Sequence, residues 1–303
     1  MDMLKAMEVF VAVVENGSLV SASVKLDTSN AAVSRQLAAL EEHLGVRLLN
    51  RTTRRVSLTD AGTDFFNRAQ QILTDVAEAE GHAGQSNVSP KGVLRVSAPL
   101  SFGISRLGHW LPEFIRRYPD LQLDLDLTDR VVDLATDGFD VAVRIARHPA
   151  STNVVMRKIA PVCMVTCAAP AYLERKGRPE IPDDLSHHTT MAFSYLSSGD
   201  AWEFSDSSGR AAFVRIRPHV HATNGELLRE LAIAGLGIVV EPTFIVGKSI
   251  QDGLLVPILE DWTIGGYHLY ALYLTRKFLP AKVRVFIDFL AEMAAITAKE
   301  GQA

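Results

Sequence analysis

Arg47, Arg51, Arg54 and Arg55 fall between Leu44 and Leu58, a stretch that contains no acidic residue. A guanidinium group is always charged and presents a planar fork of donors, so a run of this kind suits phosphate oxygens. Asn50, Arg51, Thr52 and Thr53 read as a turn within it. Val56 and Leu58 alternate as one edge of a strand, which makes the whole a candidate wing flanking a duplex backbone. A solvated surface is the plain alternative for any isolated charge run. What separates this run from that alternative is the segment that precedes it.

Ser29 is a candidate N-cap, and Val33, Leu37, Leu40 and Leu44 follow it on one helical stripe that must face a core. Arg35 lies nearly opposite the stripe, with Ala31 beside it, Ser34 on the flank and Asn30 at the start. Small and hydrogen-bonding groups therefore cover a face able to enter a major groove. A shorter helix over residues 18–26 turns Leu19, Ala22 and Leu26 inward, and Asp27-Thr28 is a tight enough link to fix a helix-turn-helix angle. A first helix over 4–15 places Leu4, Met7, Val11 and Val14 behind both. The expected DNA contacts are Ser29, Asn30, Ala31, Ser34 and Arg35 on the helix, with Arg51, Thr52, Thr53, Arg54 and Arg55 on the wing.

The 303 residues are 48% hydrophobic with a net charge of −4, enough for two or three packed units. DNA affinity must then come from a local patch rather than from overall charge. No basic region precedes a long apolar run near Met1, and no apolar stretch reaches membrane-span length, so a cytoplasmic, nucleoid-associated protein with no membrane partner is expected. Cys163 and Cys167 sit in an apolar run that reads as a strand. Four strand residues span about 13 Å, beyond disulfide reach, so two buried structural thiols are expected, with redox sensing as the alternative.

Thr59 can cap a long helix in which Phe65, Ala69, Ile72, Val76, Ala79 and Ala83 recur at spacings of four and three. This is a coiled-coil seam, which predicts a homodimer. Packing against the chain's own core is the competing reading, but the helix lies between two compact regions and no internal cover for it is evident. Residues 84–92 carry Gly, Ser, Asn and Pro without periodicity and read as a hinge.

Beyond the hinge, strands alternate with helices. Strands are expected at 93–98, 121–128, 141–145, 163–168, 191–193, 220–222, 237–240 and 267–275. A helix enters through Pro99-Leu100-Ser101-Phe102, another opens at a capping box from Thr223 to Glu226, and a last one spans 280–295 and rejoins the first lobe. Two α/β lobes with a cleft between them follow. Ligands of open α/β sheets sit beyond the carboxyl ends of strands. That rule selects Pro99, Leu100, Ser101 and Phe102 after the first strand, Thr128 after the second, and Arg144 and Ile145 after the third. In the second lobe it selects Phe193, Ser194, Thr223, Asn224, Glu241 and Pro242. Plain capping or turn geometry is the competing reading for each, above all for Pro99 and Asn224. Ser101 and its neighbouring amides stand at a helix start that would favour a carboxylate.

The motifs MEVFVAVVENGSLVSAS, AAVSRQLAALEEHLGVRLLNRTTR and SLTDAG resemble the winged-helix head and linker helix of LysR-type transcriptional regulators over residues 1–84. VSAPLSFG, GFDVAVRIA, AGLGIVVEP and KVRVFIDFL, in that order behind the head, resemble the effector domain of the same family over residues 92–295. One departure is Asp27, where relatives usually carry Gly. The resemblance implies an α plus α/β chain: a winged helix-turn-helix at 1–59, a linker helix at 60–84, a hinge at 85–92 and a two-lobed effector domain of the periplasmic-binding-protein type 2-like kind at 93–303. Lobe I would take 93–162 and 267–303, and lobe II 163–266. It also implies double-stranded promoter DNA, a second copy in a homodimer or homotetramer, a small-molecule effector and RNA polymerase as partners. Cysteine-based peroxide sensors occur in the family, but two cysteines this close in one strand do not match their arrangement.

Enzyme and metal readings find little support. His219 and His221 could share a strand face, and His187-His188 lies in a polar loop, but neither pair has a third ligand at a suggestive spacing. There is no phosphate loop, nucleophile elbow or HExxH motif. Neither catalysis, a cofactor nor a metal is expected. A DNA-binding architectural or silencing protein, whose C-terminal domain is only an oligomerisation scaffold, is the alternative to a ligand-responsive regulator.

Overall fold

The computed structural model describes residues 1–52, 55–83, 90–147, 154–195, 199–274 and 279–300. The chain divides into two units, Met1–Val88 and Ser89–Ala303. Among the described residues no single helix is long and apolar enough to cross a membrane.

The first unit runs α1 (Met3–Asn16), α2 (Leu19–Lys25), α3 (Asn30–Leu44), β1 (Leu49–Thr52), β2 (Arg55–Leu58) and α4 (Asp60–Ala83). Each helix begins on a side chain that accepts from an otherwise orphaned amide: Asp2 from Lys5, Ser18 from Ser21, Ser29 from Ala32 and Thr59 from Gly62. Gly17 and Gly45 end α1 and α3 in the left-handed conformation. Asp27 adopts it too, with φ 49°, so the turn between α2 and α3 has the backbone for which Gly is the usual residue. Phe10, Val13, Ala22, Val33, Leu37 and Leu40 form a fully buried centre. Leu4, expected inside, is 40% exposed because the buried stretch of α1 begins only at Ala6. The expected turn at 50–53 is also shifted. Asn50, Arg51 and Thr52 belong to β1, which pairs antiparallel with β2 from Leu49↔Leu58 to Thr52↔Arg55.

The second unit opens with β3 (Gly92–Ala98), α5 (Leu100–Phe102), a π-helical segment (Gly103–Leu107) and α6 (Gly108–Arg117). It continues through β4 (Leu121–Leu127), β5 (Val141–Ala146), β6 (Val155–Pro161), β7 (Met164–Ala168), α7 (Pro170–Lys176), a 3-10 turn (Pro182–His187), β8 (Thr190–Phe193), β9 (Ala201–Asp206), β10 (Ala211–Arg215) and β11 (Pro218–Ala222). It closes with α8 (Gly225–Ile233), β12 (Val239–Pro242), α9 (Thr243–Gln251), β13 (Val256–Pro257), β14 (Trp262–Thr263), β15 (His268–Tyr273) and α10 (Ala281–Glu300).

Five strands in the order β4-β3-β5-β15-β6 make the sheet of the first lobe. β3 runs parallel to β4 and β5, whereas β15 is antiparallel to both β5 and β6. Phe114, Phe286 and Leu290 from α6 and α10 pack with Leu94, Val96 and Val143 of this sheet in one core. The second lobe holds β12-β7-β13, the parallel pair β11-β8 and β10-β9-β14, with Trp202, Phe204, Ile238 and Tyr172 in its core. The chain crosses between lobes from β6 to β7 and from β14 to β15, and the two crossings are joined by the Val162 amide donating to the Tyr267 carbonyl at 2.9 Å. The C-terminal strand and helix do return to the first lobe.

Candidate functional sites

α3 presents two opposed faces. Val33, Leu37 and Leu40 are completely buried, while Ser29, Asn30, Ala31 and Arg35 are exposed and Ser34 is half-buried on the flank. The Glu41 carboxylate accepts from the amides of Leu48 and Leu49 at 2.9 and 3.1 Å, which ties the end of α3 to the root of the hairpin. One acidic charge beside the arginine run is thereby engaged by the backbone. Arg51, Thr52 and Arg55 lie on the paired strands, and Thr53 and Arg54 lie outside the described residues.

The apolar face of α4 is divided. Phe65 packs on Phe10 with ring centroids 5.5 Å apart, and Ala69 is fully buried in the same core. The chain's own helices therefore cover the first two positions of the predicted seam, a correction to its reading as wholly intermolecular. Ile72 is 39% exposed and Val76 half-buried, while Ala79 and Ala83 lie on the helix backbone.

A cavity of about 410 Å³ lies in the second unit between strand ends of both lobes. Pro99, Ser101, Phe102, Arg144 and Ile145 line it from the first lobe, and Phe193, Glu241 and Pro242 from the second. Leu100, Thr128, Ser194, Thr223 and Asn224 do not line it, and backbone pairing or capping engages Thr128, Ser194 and Asn224. The Thr128 amide donates to the Ala98 carbonyl at 2.8 Å and the Ser194 amide to that of Ala222 at 2.8 Å. Asn224, not Thr223, is the N-cap of α8, its side chain accepting from the Leu227 amide at 2.9 Å. Among the lining residues that the sequence reading missed are Asp129, Met164, Tyr195, Gly225, Phe244 and Tyr267. A signal existed for Gly225, since glycine at the first position of a helix marks a close approach. A Cβ there would lie 2.6 Å from Glu241 Oε2.

Three charged groups shape the cavity. The Arg144 guanidinium donates to the Val143 carbonyl at 2.6 Å, Ser97 Oγ at 2.8 Å and the Arg130 carbonyl at 3.1 Å. Burial lowers its pKa, against the opposing pull of Asp129 and Asp126. Asp129 Oδ2 accepts from the Leu100 amide at 3.4 Å, and burial raises its carboxyl while that amide and Arg144 lower it. The helix start predicted to receive a ligand's carboxylate thus already faces one of the protein's own. Glu241 is 2% exposed, and burial, reinforced by Asp129, pushes its carboxyl up to about 8.

Outside the cavity, Cys167 is buried, which pushes its thiol up to about 12, whereas Cys163 is exposed and precedes β7. The expectation of two buried thiols is corrected for Cys163. His221 Nε2 lies 3.7 Å from Asp200, and His188 Nδ1 lies 3.2 Å from the Tyr172 hydroxyl. Among the described residues no three potential metal ligands gather.

A winged helix-turn-helix and a two-lobed cleft domain on one chain define a class: DNA-binding regulators that carry their own ligand domain. Residues 4–63 match the family model of the bacterial regulatory helix-turn-helix protein, lysR family, and residues 87–295 that of the LysR substrate binding domain. The regulator CrgA of Neisseria meningitidis serogroup C is 36% identical over 285 residues, 94% of each chain. The solved structure of CrgA from Neisseria meningitidis is similar with a TM-score of 0.59 at 35% identity, covering 96% of this chain and 98% of that one. Full-length AphB, the Vibrio cholerae virulence activator, gives 0.58 at 30% identity, with 96% and 98% covered. The chain belongs to the LysR family of transcriptional regulators.

Proposed function

We infer that this regulator binds promoter DNA sequence-specifically through the exposed face of α3 and the wing, as a homodimer or a homotetramer, and that a small molecule in the cleft modulates that binding. Arg35, Asn30 and Ser34 read base edges, and Arg51, Arg54 and Arg55 contact phosphates. The exposed part of α4 around Ile72 carries the dimer contact. Ligand binding changes the angle between the lobes, and the chain passes that change to the DNA-binding unit, altering how the promoter is presented to RNA polymerase. The protein works in the cytoplasm at the nucleoid, with no catalytic activity and no cofactor.

The observation that carries this reading is the cavity itself. It has a ligand-sized volume of about 410 Å³, and buried charges from both lobes meet in a mainly apolar wall. A scaffold without a ligand would have no need to bury Glu241 beside open space. The test is a thermal shift of the purified chain across a metabolite panel, followed by promoter footprinting with any compound that stabilises it. A stabilising compound that alters the footprint is expected. A silent panel with normal DNA binding would favour the architectural reading.

A further inference from the structure

The balance of charge in the cavity points to the chemical class of its ligand. Among the described lining residues there are two carboxylates, Asp129 and Glu241, one guanidinium, Arg144, and no lysine or histidine. Asp129 and Arg144 act on each other, and Asp129 also holds the Leu100 amide. That leaves Glu241 without an opposite charge. Its Oε1 is buried and has no hydrogen-bond partner among the described residues, while Oε2 sits against Gly225 where no side chain intervenes. A buried carboxyl with an unused oxygen costs free energy that a suitable partner would recover. Phe102, Phe193, Phe244 and Tyr267 supply the rest of the setting, and aromatic faces attract cations as well as apolar groups. An anionic ligand would instead meet the Asp129 carboxylate and a guanidinium already bound to three acceptors.

Taking the cleft to be the effector site, as argued above, we propose that it recognises an amine with an aromatic or branched apolar body, the ammonium group paired with Glu241. The ionisable groups around Glu241 are Asp129 and Cys167, which interact with it, and Arg144, Tyr195 and Tyr267, which line the same cavity. α8 and α9 contribute Gly225, Phe244 and Ile245, none of them ionisable. In the free protein burial and the nearby Asp129 favour the protonated form of Glu241. Seating an ammonium group beside it expels that proton to solvent and leaves a carboxylate–ammonium pair, with no other bond made or broken.

The test uses the full chain and three matched probes, 2-phenylethylamine, 2-phenylethanol and phenylacetate, titrated calorimetrically in buffers of different ionisation heat. The amine should bind at least about tenfold more tightly than the other two and release close to one proton at neutral pH. Glu241→Gln keeps the volume and a hydrogen-bonding group, so it should abolish both the preference and the proton release. Equal or tighter binding of the alcohol or the carboxylate would overturn the amine inference and leave the cleft standing as an effector site. So would an amine preference that survives in Glu241→Gln. Silence from all three probes would overturn it too, and the metabolite panel would then decide separately whether the cleft senses anything. If the variant does not fold, the wild-type ranking and proton count still decide.

Discussion

The proposed DNA and ligand readouts each rest on a single side chain that can be tested. Arg35 is exposed on the face of α3 opposite its buried stripe, the face proposed to read bases, and an arginine fork can contact guanine bidentately. Arg35→Ala is expected to lose about 1–3 kcal/mol on a specific operator and almost nothing on random DNA. An equal loss on both in fluorescence anisotropy would remove Arg35 from base reading. Glu241 gives a prediction in pH. Its folded pKa of about 8 lies above the unfolded value, so the folded state keeps a proton that the unfolded chain releases. The stability this contributes is fully present below the unfolded pKa of about 4.3 and is lost as pH rises through the folded one. Relative to Glu241→Gln, the wild type should weaken with rising pH by up to about 1.4 kcal/mol per unit across that window. Parallel urea-unfolding stabilities at mildly acidic and mildly alkaline pH would show an ordinary carboxyl instead.

At the scale of elements, α4 serves two masters along one apolar face. Ala69 is buried within the DNA-binding unit and Ile72 is not, so a charge at each should fail differently. Ala69→Glu is expected to unfold the head, costing several kcal/mol for an unpaired buried charge. Ile72→Glu should leave the head folded and weaken the dimer. Circular dichroism and sedimentation separate the two, and an intact dimer in Ile72→Glu would move the interface elsewhere. α10 offers a second case. Lys282 is fully buried, donating to the Val93 carbonyl at 2.8 Å and Asp140 at 3.0 Å, while Asp140 also accepts from the Arg95 amide at 2.9 Å. Lys282→Met strands that carboxylate and should destabilise the second unit by about 3–5 kcal/mol. A near-neutral midpoint in denaturant would show that solvent reaches Asp140.

Caps, helical stripes and the strands β3, β4, β5, β7, β8, β11, β12 and β15 were legible because each is written locally, whereas β6, β9, β10, β13, β14, α7 and α9 were not expected. The cover over α4 was not, since a spacing of four and three says which face is apolar and not what lies on it. The cleft was half legible. Strand ends select the right neighbourhoods, yet a one-residue offset exchanges Thr128, whose amide pairs with Ala98, for Asp129 in the wall. Phe244 and Tyr267 escaped because they stand at the start of α9 and on the lobe crossing, places the strand-end rule does not reach.

For the molecule as a whole, the proposed binding of effector and of DNA would be thermodynamically linked. If an effector changes operator affinity by some factor, operator DNA must change effector affinity by the same factor. Titrating effector with and without a saturating operator fragment should give the reciprocal shift, and a footprint change without it would mean that the compound acts through another partner. A different consequence follows from the position of β15, which lies between β5 and β6 although the whole second lobe separates it from them in the chain. On the ribosome the head and most of the second lobe emerge with all their pairing strands, but β5 and β6 must wait with open edges for the last part of the message. A premature stop before His268 therefore yields an unfinished first lobe with exposed strands, a substrate for chaperones and proteases, behind a head whose own strands and helices are complete.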